Sequence, residues 1–132
     1  MHIHNSTHRQ RPQNILVVDD EAVIRDMMSD ILDLEGYPIQ VARNGKEALA
    51  ILSSSDPQTG YLIFLDLMMP VMDGYEFCRV LNADPAGRQR HTIVIMSALD
   101  QLAQAQSLQV DQAMPKPFVV DDIMRIIQTY MP

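Results

Sequence analysis

Four places in this chain carry side chains that could do chemistry together: the acidic run Asp19-Asp20-Glu21, then Asp66, Ser97 and Lys116. The first three each follow a short apolar run, Ile15–Val18, Tyr61–Leu65 and Thr92–Met96 in turn, and Lys116 ends the segment Ala113-Met114-Pro115. Taken alone, each has an ordinary structural reading. An Asp-Asp pair after a strand is a solvated turn, Ser97 is a cap for the helix that follows it, and Lys-Pro is a loop. Brought to one crevice they read differently, because converging carboxylates repel one another unless a cation lies between them. Oxygen-only ligands in an open, hydrated site suit Mg²⁺, which takes one or two carboxylates plus water and phosphate; Mn²⁺ is a possible substitute. A carboxylate nucleophile in such a site is a route to an aspartyl phosphate. Lys116 offers a flexible point charge for a phosphoryl oxygen, and Ser97 offers a hydroxyl.

The elements that must position these residues alternate in type. Ile15–Val18 is a β-branched run that reads as a buried parallel strand. Val23, Met27, Ile31 and Leu34 then form a helical stripe over Ala22–Leu34, closed by Gly36. Ile39–Ala42 is a second strand, and Asn44-Gly45 opens a helix through Ala48, Leu49 and Leu52. Tyr61–Leu65 is the third strand, Gly74–Leu81 a helix, Thr92–Met96 the fourth strand and Val119–Tyr130 a closing helix. With a fifth strand at Lys116, this pattern predicts an α/β fold with a doubly wound, five-stranded parallel sheet. Pro38 and Pro115 flank or enter the second and fifth strands, and proline is tolerated mainly at sheet edges. The order 2-1-3-4-5 puts those two strands outermost, and ligands in such sheets bind beyond the carboxyl ends of the strands.

Composition bounds the rest. The 132 residues fit one domain, and 47% hydrophobic content is that of a globular chain. A net charge of −7 repels phosphates and anionic lipid, which argues against direct nucleic-acid or membrane binding. The single cysteine, Cys78, reads as a buried hydrophobe, and His91 as a loop residue. The apolar stretch Tyr61–Met72 is broken by Asp66 and Pro70 and is too short to span a bilayer. No signal-peptide pattern opens the chain, so a cytoplasmic location is expected. Residues 1–13, with His2, His4 and His8, show no apolar period and read as a flexible tail ahead of a domain over 14–132.

The motifs Val17-Val18-Asp19-Asp20-Glu21, Leu65-Asp66-Leu67-Met68-Met69-Pro70 with Met72-Asp73-Gly74, Met96-Ser97-Ala98 and Lys116-Pro117-Phe118 together resemble the receiver domain of two-component response regulators. The resemblance runs from about Asn14 to the C-terminus. It implies a flavodoxin-like (CheY-like) fold and a phosphoacceptor, not an enzyme in the ordinary sense. Asp66 would take a phosphoryl group from a histidine kinase or phosphotransfer protein. Asp20, Asp66 and the main-chain carbonyl of Met68 would ligate Mg²⁺, with Asp19 acting through water. Lys116 and Ser97 would contact the phosphoryl group, the Lys116–Pro117 bond would be cis, and Gly74 would relieve crowding beside the site. A monomer or weak dimer is expected.

Two features depart from that pattern. Receivers carry an aromatic residue three positions before the lysine, and here that position is Ala113. The glutamine-rich segment Leu99–Val110 is short, with a thin apolar stripe, which predicts a short, shifted or poorly ordered fourth helix and makes it the part expected to be ordered or shifted by phosphorylation. These departures lend weight to an alternative, a degenerate receiver that serves only as a docking module, against which stand the retained acid, hydroxyl and lysine positions. An aspartate-nucleophile phosphatase would carry a second Asp where Met68 stands, and a nucleotide binder would not place Asp19-Asp20-Glu21 in its phosphate loop.

Overall fold

The computed structural model describes residues 11–132, so His2, His4 and His8 and most of the segment read as a tail lie outside the described residues. At the start of the described chain Pro12 is buried and the Gln13 N–H donates to the Gly60 carbonyl at 2.9 Å. Five strands follow: β1 (Asn14–Val18), β2 (Ile39–Ala42), β3 (Tyr61–Asp66), β4 (Thr92–Ala98) and β5 (Gln112–Lys116). All pair in parallel, in the order β2-β1-β3-β4-β5. The strand that Pro38 precedes and the strand that contains Pro115 are therefore the edges, and at Pro115 the missing N–H is tolerated there.

Helices α1 (Ala22–Leu34), α2 (Gly45–Ser54), α3 (Gly74–Asn82), α4 (Pro85–Gln89), α5 (Leu99–Ala105) and α6 (Val120–Tyr130) cover the sheet, with a 3₁₀ turn at Gln106–Leu108. Alternation along the strands sorts the layers. Ile15, Val17, Phe64, Val94 and Met96 pack with Met28 and Leu32 of α1 and Ile123, Ile126 and Ile127 of α6. Leu16, Val18, Ile63, Leu65 and Ile95 face the other way, onto Ala48 of α2, Phe77 and Cys78 of α3 and Ala105 of α5. Burying one such aliphatic side chain contributes about 1.5–3 kcal/mol, so this two-sided core is what holds the strand ends in register. Among the described residues, no helix is long and apolar enough to cross a membrane.

Local signals fix the helix starts. The Asn44 side chain accepts from the Glu47 N–H at 2.9 Å while the Glu47 carboxylate accepts from the Arg43 N–H at 2.8 Å, closing both ends of the first turn of α2. Asp73 caps α3 in the same way, accepting from the Glu76 N–H at 2.9 Å. The last turn of α1 gives way at Gly36, whose φ of +82° suits glycine.

Three expectations need adjusting. The helix after β4 is short, seven residues, as its thin stripe implies, but it is fifth in order because α4 precedes it. Strand β4 runs two residues further than its apolar run, through Ser97 and Ala98. His91 is the loop residue expected, between α4 and β4, but a buried one: it is 4% exposed, its Nδ1 accepts from the Tyr61 N–H at 3.1 Å, and its ring lies 5.9 Å from that of Tyr61. Its carbonyl in turn accepts from Arg88 Nη1 at 2.6 Å, so α4 folds this position inward.

Burial, followed by the charges of Arg90 and Arg88, pushes the His91 imidazole down from its ordinary 6.5 to about 4. The unfolded chain therefore binds a proton that the folded one refuses. Stability is complete above pH 6.5 and falls as pH drops through 6.5 toward 4, by a total on the order of 3 kcal/mol. His91→Asn keeps an acceptor for the Tyr61 N–H and cannot titrate. Urea unfolding from pH 7 to 4 is expected to show a shallower acid loss for this variant than for wild type; parallel profiles would mean that His91 is not the group concerned.

Candidate functional site

Because all five strands are parallel, their carboxyl ends share one edge of the sheet. Register then decides what meets there: Val18 pairs with Leu65, Asp66 with Met96, Ser97 with Pro115 and Ala98 with Lys116. Asp66 ends the central strand, and the residues after β1 fold over beside it. Carboxylate oxygens of Asp19, Asp20 and Asp66 all lie within 4.8 Å of one another. The acids singled out in the sequence thus converge, and among the described residues they form the group with spacing suited to a metal ion.

The three acids are held differently. Asp19 is fully buried; its Oδ1 accepts from the Glu21 N–H at 2.9 Å and its Oδ2 from Lys116 Nζ at 2.8 Å. Its main-chain carbonyl is fixed by Arg25 Nη1 at 2.9 Å, a contact from α1 that no sequence pattern announces. Asp20 is exposed. Asp66 is 6% exposed, and its carboxylate lies 3.7 Å from Lys116 Nζ. Lys116 also reaches Glu21 at 3.4 Å, so one ammonium serves three carboxylates.

Electrostatics follow from that crowding. Burial, then the neighbouring charge of Asp19, raises the Asp66 carboxyl to about 6, against the pull of Lys116 and the Met68 N–H. Burial alone would lower the Lys116 ammonium, but its hydrogen bond to Asp19 and the charges of Asp19, Asp66 and Glu21 outweigh it and raise it.

The loop after Asp66 is packed to backbone contact. A Cβ on Gly74 would sit 2.5 Å from the Asp66 carbonyl oxygen and 2.9 Å from Leu67 Cα, so only glycine fits there. The Met72 N–H donates to the Pro70 carbonyl at 2.8 Å, and Val71 between them has φ +70°. This three-residue turn has the rare, strained sign, and a β-branched residue occupies its centre.

Ser97, 1% exposed, donates its hydroxyl to Gln101 Oε1 at 2.5 Å. The spacing of four residues across a strand–helix junction could have flagged this pair, but glutamine alone gives no chemical signal. The Lys116–Pro117 peptide is cis, as expected. Ala113 lies exposed on β5 opposite Ile95, so no ring stands at that position.

With fold and site in view, the chain belongs to the response regulator receiver domain family, whose profile matches residues 15–128. It is 40% identical over 116 residues to the alkaline phosphatase synthesis transcriptional regulatory protein SphR of Synechococcus elongatus, covering 83% of this chain and 41% of SphR. It is 32% identical over 116 residues to the response regulator MprA of Mycolicibacterium vanbaalenii, covering 86% of this chain and 48% of MprA. The chain thus spans less than half the length of these relatives. Among solved structures, a receiver domain of a histidine kinase from Syntrophus aciditrophicus matches with a TM-score of 0.79 at 28% identity, over 90% of this chain and 89% of that one. The response regulator TrrA of Thermotoga maritima, solved in complex with Mg²⁺ and BeF, matches with a TM-score of 0.76 at 29% identity, over 90% of this chain and 99% of that one.

A carboxyl raised in the folded state stabilises the fold below its unfolded value and ceases to do so as pH rises through the folded one, here about 6. At pH 7 the ionised Asp66 therefore opposes folding by about 2–3 kcal/mol. In metal-free buffer at pH 7, Asp66→Asn is expected to raise the melting temperature by several degrees. An unchanged or lower melting temperature would mean that the three acids are not in electrostatic conflict.

Proposed function

We propose that this receiver domain accepts a phosphoryl group on Asp66 from a histidine kinase or histidine phosphotransfer protein, with Mg²⁺ held by Asp20, Asp66 and the Met68 carbonyl and with Asp19 acting through water. The observation that carries this reading is the acidic trio at the end of the central strand with Lys116 Nζ 3.7 Å from Asp66. Three carboxylates on one crevice are a donor set that fits a hard, oxygen-seeking cation. Bound there, Mg²⁺ would offset their repulsion and draw phosphoryl oxygens toward the site.

In the transfer, an Asp66 carboxylate oxygen forms a bond to phosphorus as the bond from phosphorus to the donor's imidazole nitrogen breaks, and the imidazole leaves with the electron pair. Lys116 has three N–H donors and can turn one toward a phosphoryl oxygen while keeping its hold on Asp19. Ser97 offers its hydroxyl to another. The domain assists this transfer and the later hydrolysis without being an enzyme in its own right. Its output is a change on the face formed by α5, β5 and α6, which acts on a protein target. The net charge of −7 disfavours direct contact between this domain and nucleic acid.

The exposed Ala113 favours a second reading, a docking module whose contacts do not depend on phosphorylation. Labelling separates the two. With Mg²⁺ and acetyl phosphate, wild type is expected to gain one acid-stable, base-labile phosphoryl group by mass spectrometry, and Asp66→Asn none. Equal labelling of both would move the acceptor elsewhere, and no labelling of wild type would favour docking.

Metal binding is checked separately. Calorimetric titration with Mg²⁺ is expected to show affinity about tenfold or more weaker for Asp20→Asn, which loses one charged ligand, and largely kept in Lys116→Ala. Superimposable titrations of wild type and Asp20→Asn would remove Asp20 from the ligand set.

A further inference from the structure

Ser97 has one hydroxyl proton, and the fold commits it. Its Oγ donates to Gln101 Oε1 at 2.5 Å, across the junction between the end of β4 and the first turn of α5. An amide carbonyl oxygen only accepts, and so does a phosphoryl oxygen. The Ser97 hydroxyl can therefore satisfy one of them at a time. Lys116 is less constrained, because it can redirect one of its three donors from Asp19, Glu21 and Asp66 and keep the others.

The far end of the same segment is anchored independently. Asn82 Nδ2 of α3 donates to the Leu108 carbonyl at 3.2 Å, and Arg88 Nη2 of α4 donates to the Gln109 carbonyl at 3.1 Å. Arg88 also pairs with Asp111 at 3.1 Å, and Asp111 Oδ2 accepts from the Ile93 N–H at 2.8 Å. Gln109 itself, at φ +58°, reverses the chain into β5. The segment between β4 and β5 is thus fixed at its distal end to α3, α4 and the start of β4. At its proximal end a side-chain hydrogen bond ties it to Ser97, and no ring at Ala113 stands beside it to report a movement of that residue.

From this we infer that Gln101 is a positioning residue, which competes with the phosphoryl group for the Ser97 proton and couples occupancy of the site to the first turn of α5. The inference rests on the reading of Asp66 as phosphoacceptor. Phosphorylation draws the Ser97 hydroxyl away, Gln101 loses its donor, and the proximal end of α5 is released while its distal end stays anchored. This short helix then carries the signal that a rotating ring carries in other receivers.

The test is a double-mutant cycle read as affinity for beryllofluoride in the presence of Mg²⁺. Gln101→Leu removes the competing acceptor and is expected to tighten binding about three- to tenfold, the value of one neutral hydrogen bond. Gln101→Asn, one methylene shorter, is expected to act in the same direction and guards against a packing effect of leucine. In a Ser97→Ala background neither substitution should change the affinity. Hydrogen exchange supplies the second readout: on adding beryllofluoride, amides 102–105, which bond back to the first turn of a helix, should lose protection in wild type. In Gln101→Leu they should be fast before and after.

Tightening that persists without the Ser97 hydroxyl would overturn the inference, since Gln101 would then act on the fold alone. So would unchanged affinity in folded Gln101→Leu and Gln101→Asn. If wild type itself binds no beryllofluoride, the assignment of Asp66 falls and takes this inference with it, an outcome plainly different from the other two.

Discussion

Like charges forced together at the end of a sheet need a counter-charge, and this fold brings its own from the opposite edge. Lys116 leaves β5, passes the ends of β4 and β3, and pairs with Asp19 beyond β1, 97 residues away in the chain. That reach is possible only because all five strands are parallel and end on one side. The pair also explains the division of labour among the acids. Asp19, fully buried, has both oxygens engaged within the protein, whereas Asp20 is exposed and Asp66 stands in partial conflict with its neighbours. A site so arranged is incomplete electrostatically and gains from further positive charge, in keeping with a binding crevice and not a stabilising core feature.

The donors around Asp66 differ in capacity, and that difference shapes what the site can transmit. An ammonium has three donors, so Lys116 can turn one toward a new oxygen while keeping its hold on Asp19. A hydroxyl cannot, so any new acceptor for Ser97 displaces Gln101. On the proposed reading, lysine would supply attraction and serine a change of state. Differential contact between two states is the physical requirement for any switch, and on that reading it would reside in one proton.

Much of this was legible in the sequence for identifiable reasons. β-branched and apolar runs named the strands, Pro38 and Pro115 named the edges, and the acids, hydroxyl and lysine stood at the strand ends where ligands gather. What escaped notice depended on contacts between distant segments. The helix Pro85–Gln89 is five residues long and contains proline and glycine, so it carries no period to detect. His91 gave no hint of burial, because its partner is a main-chain N–H thirty residues away. Arg25 and Gln101 are ordinary polar residues whose roles arise from what the fold sets beside them. Gly74 was readable as a site of crowding, although the strained turn at Val71 was not, since nothing about a valine announces a left-handed backbone.

Cys78 has a practical meaning of its own. It is the chain's one thiol, wholly buried in the layer beneath α3, and burial pushes it up to about 11. Only the thiolate reacts with alkylating reagents, so the closed protein is doubly protected, by lack of access and by lack of charge. Reaction must await an opening that lifts α3 from the sheet, and its rate then measures the fraction of molecules in which that layer is open when opening and closing are fast compared with capture. The fold thus contains a built-in chemical gauge for the side of the sheet that carries the Asp66 loop, and it can be read in native buffer without introducing or removing a residue.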